Sequence, residues 1–339
     1  METLPTLWFI IIAFFWTGYL FLEGFDLGVG MLMRGFARNN TERRVLLNTV
    51  GPVWDGNEVW LVTAGAATFA AFPHWYASLF SALYLPLVFV LLALIFRAVA
   101  FEYRGKMDSD RWRNAWDWAI VLGSLVAAFG VGAMLALTTT GLPLNENGDR
   151  VGGPFAWFNG YAVLGGLAVV FFCIVHAAAF LALKTDGDIR TRARKLLLRW
   201  LPVALLPLAL WAVAVVVAGG KSVTYVTLLL AVLGAAFAWM MARRERDGWS
   251  FGGLGVFLLA GTATIFTAVF PNVLPSTIDS AYNLTVTSAS SSEYTLGVMS
   301  VIAAFGIPAV LVYQGYTYWV FRKRVSASSI PAAHAVVPQ

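Results

Sequence analysis

Apolar runs of about twenty residues recur along the whole chain, and this constrains its fold more than any other feature. Apolar residues make up 59% of the sequence and charged ones 12%, with a mean hydropathy of +0.74. A soluble domain of 339 residues has no interior large enough to hide that surface. The runs leave no room for a large soluble domain between them. The first lacks a Lys/Arg-rich leader segment and is expected to persist as a helix. The fold class is therefore an all-α polytopic membrane protein. Nine transmembrane helices are expected, over about 7–33, 52–72, 75–101, 116–138, 156–183, 200–219, 222–242, 250–270 and 297–321. They form a single transmembrane domain over 1–324, read as two four-helix bundles plus one additional helix. Residues 325–339 are expected to be a disordered tail.

Charge sorts with this division. Arg34, Arg38, Arg43 and Arg44 follow the first span, and Arg104, Lys106, Arg111 and Arg113 the third. A run from Lys184 to Arg199 follows the fifth, Arg243, Arg244 and Arg246 the seventh, and Arg322, Lys323 and Arg324 the ninth. The opposite side carries only Arg150 and Lys221. The positive-inside rule then places the N-terminus outside and the C-terminus in the cytoplasm. Topology accounts for the net charge of +5, so it is no sign of a nucleic-acid partner.

Against this apolar background, buried acids stand out. Glu23 and Asp26 lie three residues apart in span one, and Asp55 and Glu58 three apart in span two. On a helix, each pair projects within about 60°. Asp26 lies eight residues before Arg34, about 12 Å from the basic end at 1.5 Å per residue, and Asp55 and Glu58 about 5–10 Å from it. Arg97 and Asp117 occupy a similar depth. Intramembrane acids are costly and face a protein interior or a water path. The four acids are therefore expected to line a wet interior facing the inner compartment, as a proton route or a cation site. A register-fixing pair such as Asp26 with Arg97 is the structural alternative, and Arg97 and Asp117 can also be read as helix-end charges reaching the headgroups.

Other candidates carry less. Gly24-x-x-x-Gly28 argues for close helix packing. Cys173 is the only cysteine, and His74, His176 and His334 are the only histidines. They leave little for haem or metal ligation, so no metal site is expected in this chain, and His176 reads as a hydrogen-bonded core residue. Trp54 and Trp60 flank the span-two acids and suit interior packing, or packing near a cofactor or quinone.

Three runs carry a family resemblance: Glu23-Gly-Phe-Asp-Leu-Gly-Val-Gly-Met31, Asn40-Thr-Glu-Arg-Arg44 and Trp54-Asp-Gly-Asn-Glu-Val-Trp-Leu61. Phe96-Arg97, Phe101-Glu-Tyr-Arg104 and Arg111-Trp-Arg-Asn-x-Trp-Asp-Trp118 extend it. With these motifs the chain resembles subunit II of the cytochrome bd quinol oxidases, most closely over its first 120 or so residues. The resemblance implies a bacterial cell-membrane complex that oxidises quinol and reduces dioxygen to water, building a proton gradient. It implies a partner, subunit I, that holds haem b and haem d and the quinol site, while subunit II ligates none. It assigns Asp55 to delivery of cytoplasmic protons, with Glu58 beside it. It also gathers Asp26, Arg97 and Asp117, with Glu23, into a second polar cluster. Small single-span accessory subunits, lipid and quinone are further partners it leaves open. The competing function is a secondary transporter coupling H⁺ or Na⁺ through the same acids.

Overall fold

The computed structural model describes residues 3–330. Its helices are α1 (Thr3–Gly35), α2 (Asn40–Val50), α3 (Trp54–Ala71), α4 (Pro73–Ala82), α5 (Tyr84–Tyr103), α6 (Asp110–Thr140), α7 (Gly160–Lys184), α8 (Gly187–Ala204), α9 (Leu206–Gly219), α10 (Ser222–Arg243), α11 (Asp247–Val269) and α12 (Glu293–Val320). Eight segments are long and apolar enough to cross a membrane, α8 and α9 counting as one. The expected span missing from these eight is the second, 52–72, which coincides with α3, whose first turns hold Asp55, Asn57 and Glu58 and so dilute its apolar character.

Side-chain caps start several helices. Asn39 accepts from the Glu42 amide at 2.9 Å, Asn159 from those of Tyr161 and Ala162, and Ser109 from that of Trp112. Such caps satisfy amides that have no partner within the helix. Two expected spans are interrupted. The third breaks at Leu83, where Pro86 cannot donate to the Ala82 carbonyl, and the segment divides into α4 and α5. Pro207 has the same effect at Leu205, between α8 and α9. α8 also begins earlier than the expected 200, so the arginine-rich stretch before it is helical rather than loop.

The centre of the bundle is α7, 78% buried over its most apolar stretch, with α1, α6 and α11 around it; the same measure for α12 is 6%. α1 meets α7 at Gly28, where a Cβ would run into the Cys173 carbonyl, whereas a Cβ on Gly24 finds its nearest neighbour at 3.5 Å. Gly28→Ala is therefore expected to cost about 2 kcal/mol or more by overpacking. Gly24→Ala should be close to neutral. Melting temperatures of the two purified variants check this contrast.

At the end opposite the arginines, β1 (Asn272–Leu274) pairs antiparallel with β2 (Leu284–Thr285). Leu142 donates to Pro275 and accepts from Thr277, so the loops after α6 and α11 close on each other. At the basic end, buried Asp247 accepts from Arg190 at 2.8 Å and from Arg194 at 3.0 Å, pinning α8 to α11. Residues 325–330 depart from the expected disorder. The Val325 amide donates to the Lys184 carbonyl at 2.7 Å, Arg324 donates to the Thr185 carbonyl, and Ala327–Ser329 form a short 3-10 turn. The backbone at the end of α7 thus holds the start of the tail. Residues 331–339 lie outside the described residues.

Candidate functional site

Glu23 and Asp26 on α1, Asn57 on α3 and Arg97 on α5 are all fully buried. Arg97 Nη1 lies 2.9 Å from Glu23 Oε1, but no N–H of Arg97 is aligned for a hydrogen bond. The contact is a close ion pair off the hydrogen-bonding line. The register pair expected between Asp26 and Arg97 is thus made by Glu23. Asp26 instead accepts from Asn57 Nδ2 at 2.6 Å. The same Nδ2 reaches the Leu22 carbonyl at 3.2 Å. Asn57 Oδ1 accepts from Gln314 Nε2 at 2.9 Å and from the Tyr318 hydroxyl at 2.8 Å. With its oxygen taken by two donors from α12, the Asn57 amide is oriented with its nitrogen toward Asp26. Tyr19 OH, Glu23 Oε2, Asp26 Oδ1 and Arg97 Nε are buried without a hydrogen-bond partner among the described residues.

The span-two acids sit differently. Asp55 is exposed and Glu58 half-buried. Asn57 faces inward, and two residues along a helix amount to 200°, which turns Asp55 outward. So Asp55 does not line the interior of this chain, contrary to the expected wet interior of four acids. It shares its face with exposed Glu102, whose charge reaches it. Glu58 lies within electrostatic reach of both Asp55 and Arg97. The order from surface to interior is therefore Asp55, Glu58, then the Glu23–Arg97–Asp26–Asn57 cluster.

Asp117 is fully buried but separate from that cluster. Arg104 Nε donates to its Oδ1 at 2.5 Å and Arg43 Nη1 to its Oδ2 at 3.1 Å. Arg104 also donates to Asn40. The expected grouping of Asp117 with Arg97 fails because Arg97 meets α6 at Gly123. That is six residues, or about 9 Å, further along the helix. Asp117 instead staples α2 and the end of α5 to the start of α6.

Trp60 packs edge-on against Phe14 and Phe15 of α1. It also lines an apolar groove of about 500 Å³ between α1, α3 and α12. Trp54 lies on Phe101, whose ring sits 5.1 Å beneath the Arg97 guanidinium.

Residues 4–321 match the family described as cytochrome bd terminal oxidase subunit II. The chain belongs to this family. It is 42% identical over 332 residues to cytochrome bd ubiquinol oxidase subunit 2 of Bacillus subtilis (strain 168), covering 96% of this chain and 98% of that protein. It is 33% identical over 367 residues to cytochrome bd-I ubiquinol oxidase subunit 2 of Escherichia coli (strain K12), covering 97% of each. A chain in the solved structure of bd oxidase from Geobacillus thermodenitrificans has the same fold, with a TM-score of 0.76 at 20% identity over 94% of this chain and 97% of that one. Membership of the cytochrome bd subunit II family makes the chain a multi-pass bacterial membrane protein and a component of a terminal oxidase, and sets aside the transporter reading.

Haem is a cofactor of cytochrome bd, and the surroundings of His176 do not fit it. His176 is fully buried, with Phe172 and Phe251 stacked on its ring at 5.0 and 4.8 Å, and its Nε2 bonds the Phe21 carbonyl at 2.9 Å. A porphyrin has no face to occupy there. His74 is exposed, and His334 lies outside the described residues. No cluster of three metal-ligating side chains occurs among the described residues.

Sequence reasoning quoted Asn57 within its motif but gave it no role. It likewise quoted Glu102 within the Phe101–Arg104 run without giving it a role, and it passed over Gln314 and Tyr318 altogether. Gln314 and Tyr318 carried a legible signal: polar groups four apart in an apolar helix share one face.

Proposed function

We propose that this chain is the non-haem subunit of a quinol:dioxygen oxidoreductase and supplies the cytoplasmic proton route to its haem-bearing partner, subunit I. In this reading α3 completes nine crossings, with the N-terminus outside and the basic end in the cytoplasm. The first eight crossings form two four-helix groups that meet along α1, α6, α7 and α11, with α12 outside them. Haems b and d, held by the partner, would supply the electron transfer from quinol to dioxygen.

The observation that carries this reading is Asp55, exposed on the outer face of a helix expected to lie in the membrane. A carboxylate facing hydrocarbon is costly, so protein covers that face in the assembled complex, and subunit I is the partner the family provides. Asp55 and Glu102 collect protons at the basic end. Glu58, one turn further along α3, passes them inward from that face. Behind it, Glu23, Asp26 and Tyr19 keep buried oxygens without protein partners, which can hold a proton or bond a water molecule. Arg97 holds the electrostatic balance of the two buried acids.

Asp55→Asn is expected to lower quinol-dependent oxygen consumption roughly tenfold, the scale of one proton-transfer group, with haem absorption and subunit I content unchanged. Glu58→Gln should give a smaller loss. Wild-type turnover and proton uptake in Asp55→Asn would leave the chain a scaffold only.

A further inference from the structure

We propose that a cleft at the basic end, formed by Asn40, Arg43, Asp110, Arg111, Arg113 and Asn114, binds a phosphate group carried by an anionic phospholipid or free in solution. The cleft encloses about 280 Å³ between the start of α2 and the first turn of α6. That is room for a phosphate with bound water but not for a lipid tail. Three guanidinium groups line it against the single carboxylate of Asp110.

Much of that donor capacity is unspent. Arg111 is exposed and makes no ion pair among the described residues. Arg43 uses Nη1 on Asp117, while its Nε is buried without a partner. Arg113 uses Nη1 and Nη2 on Asp108 and Asp110, and its Nε is likewise buried and unpaired. Those two acids are 75% and 98% exposed, so each of these ion pairs is weak and readily exchanged for a phosphate. The asparagines are oriented to donate as well. Asn40 Oδ1 is taken by Arg104 and Asn114 Oδ1 by Arg34, which leaves the amide NH₂ as the group each can offer a ligand. The backbone amides opening α6 add a favourable field for an anion.

The surroundings match a headgroup level. Trp112 donates from its indole to the Tyr103 carbonyl and packs on Trp116. The Arg34 guanidinium lies 5.0 Å over Trp118. Aromatic side chains of this kind mark the membrane–water boundary, and basic clefts beside them take anionic headgroups. The inference needs only the membrane placement of the bundle, not the proton route.

The test uses the intact oxidase complex, stripped of lipid in detergent, with Arg111→Gln and the double variant Arg111→Gln, Arg113→Gln. Melting temperature is titrated with phosphatidylglycerol and, at matched ionic strength, with inorganic phosphate. Phosphatidylglycerol should raise the wild-type melting temperature. Its apparent affinity should fall about tenfold in Arg111→Gln, the loss of one charge-assisted contact, and further in the double variant. Arg111→Lys should retain most of it. Protection by phosphatidylglycerol alone assigns the site to lipid, and variant-sensitive protection by inorganic phosphate assigns it to the free anion. Titration curves that coincide for wild type and both glutamine variants, or no protection by either compound, overturn the proposal. Oxygen turnover of Arg111→Gln stays at the wild-type level, which separates this result from that of Asp55→Asn.

Discussion

Replacing Arg97 with methionine is expected to destabilise the complex by about 3–5 kcal/mol, the cost of leaving one side of a buried ion pair uncompensated. Arg97 is fully buried and lies 2.9 Å from Glu23. Asp26 is equally buried, and its hydrogen bond comes from a neutral amide. Removing the guanidinium leaves two acids in an interior that solvates neither. Arg97→Lys should rescue only part of the loss, because an ammonium does not stack on Phe101 as the guanidinium does. The double variant Arg97→Met, Glu23→Met removes both partners and should recover most of the melting temperature. It should not recover oxygen turnover if Glu23 carries protons. The measurements are the melting temperature and the haem content of the complex purified through a tag on this chain. A single variant as stable as wild type, or a double variant no better than the single one, would refute the ion-pair account.

Most of the fold was written in the apolar runs, because a membrane admits few solutions to a twenty-residue run. The ends of α6, α7, α10, α11 and α12 lie within a few residues of the expected spans, apart from the extension of α6 at its N-terminal end. The breaks at Leu83 and Leu205 were legible too, since Pro86 and Pro207 stand three and two residues beyond them. α2 was not, because its apolar stripe of Val45, Leu46 and Val50 sits in a loop too short and too charged to read as a span.

The site was harder for a geometric reason. Depth along a helix follows from counting residues, but the direction of a side chain does not until the helix has neighbours. Asp55 and Asn57 share one motif, yet they point to opposite sides of α3. Counting alone put Asp117 level with Arg97. Packing at Gly123 instead leaves about 9 Å of α6 between Asp117 and the point where Arg97 meets that helix.

Asn57→Leu is the second large effect expected, because one amide joins two otherwise separate parts. α12 buries only Leu296 and Gln314. Its N-terminal half is anchored where Trp8 donates to the Leu296 carbonyl and to Ser300. Its C-terminal half is anchored where Gln314 and Tyr318 donate to Asn57, with Pro308 between the two halves. Leucine removes the acceptor for Gln314 and Tyr318 and the donor to Asp26, at about 1–3 kcal/mol for each buried group left unsatisfied. Two kcal/mol of local opening corresponds to about thirtyfold faster amide exchange, and it should appear in α12 beyond Pro308 while the Trp8-anchored half keeps its protection. Asn57→Asp separates the two roles. It keeps an acceptor for Gln314 and Tyr318, so α12 should stay protected, but it sets a second acid against Asp26, so turnover should still fall. Uniform exchange along α12 in Asn57→Leu would mean that Asn57 does not join α12 to the bundle, and full turnover in Asn57→Asp would mean that it does not join Asp26 to the proton route.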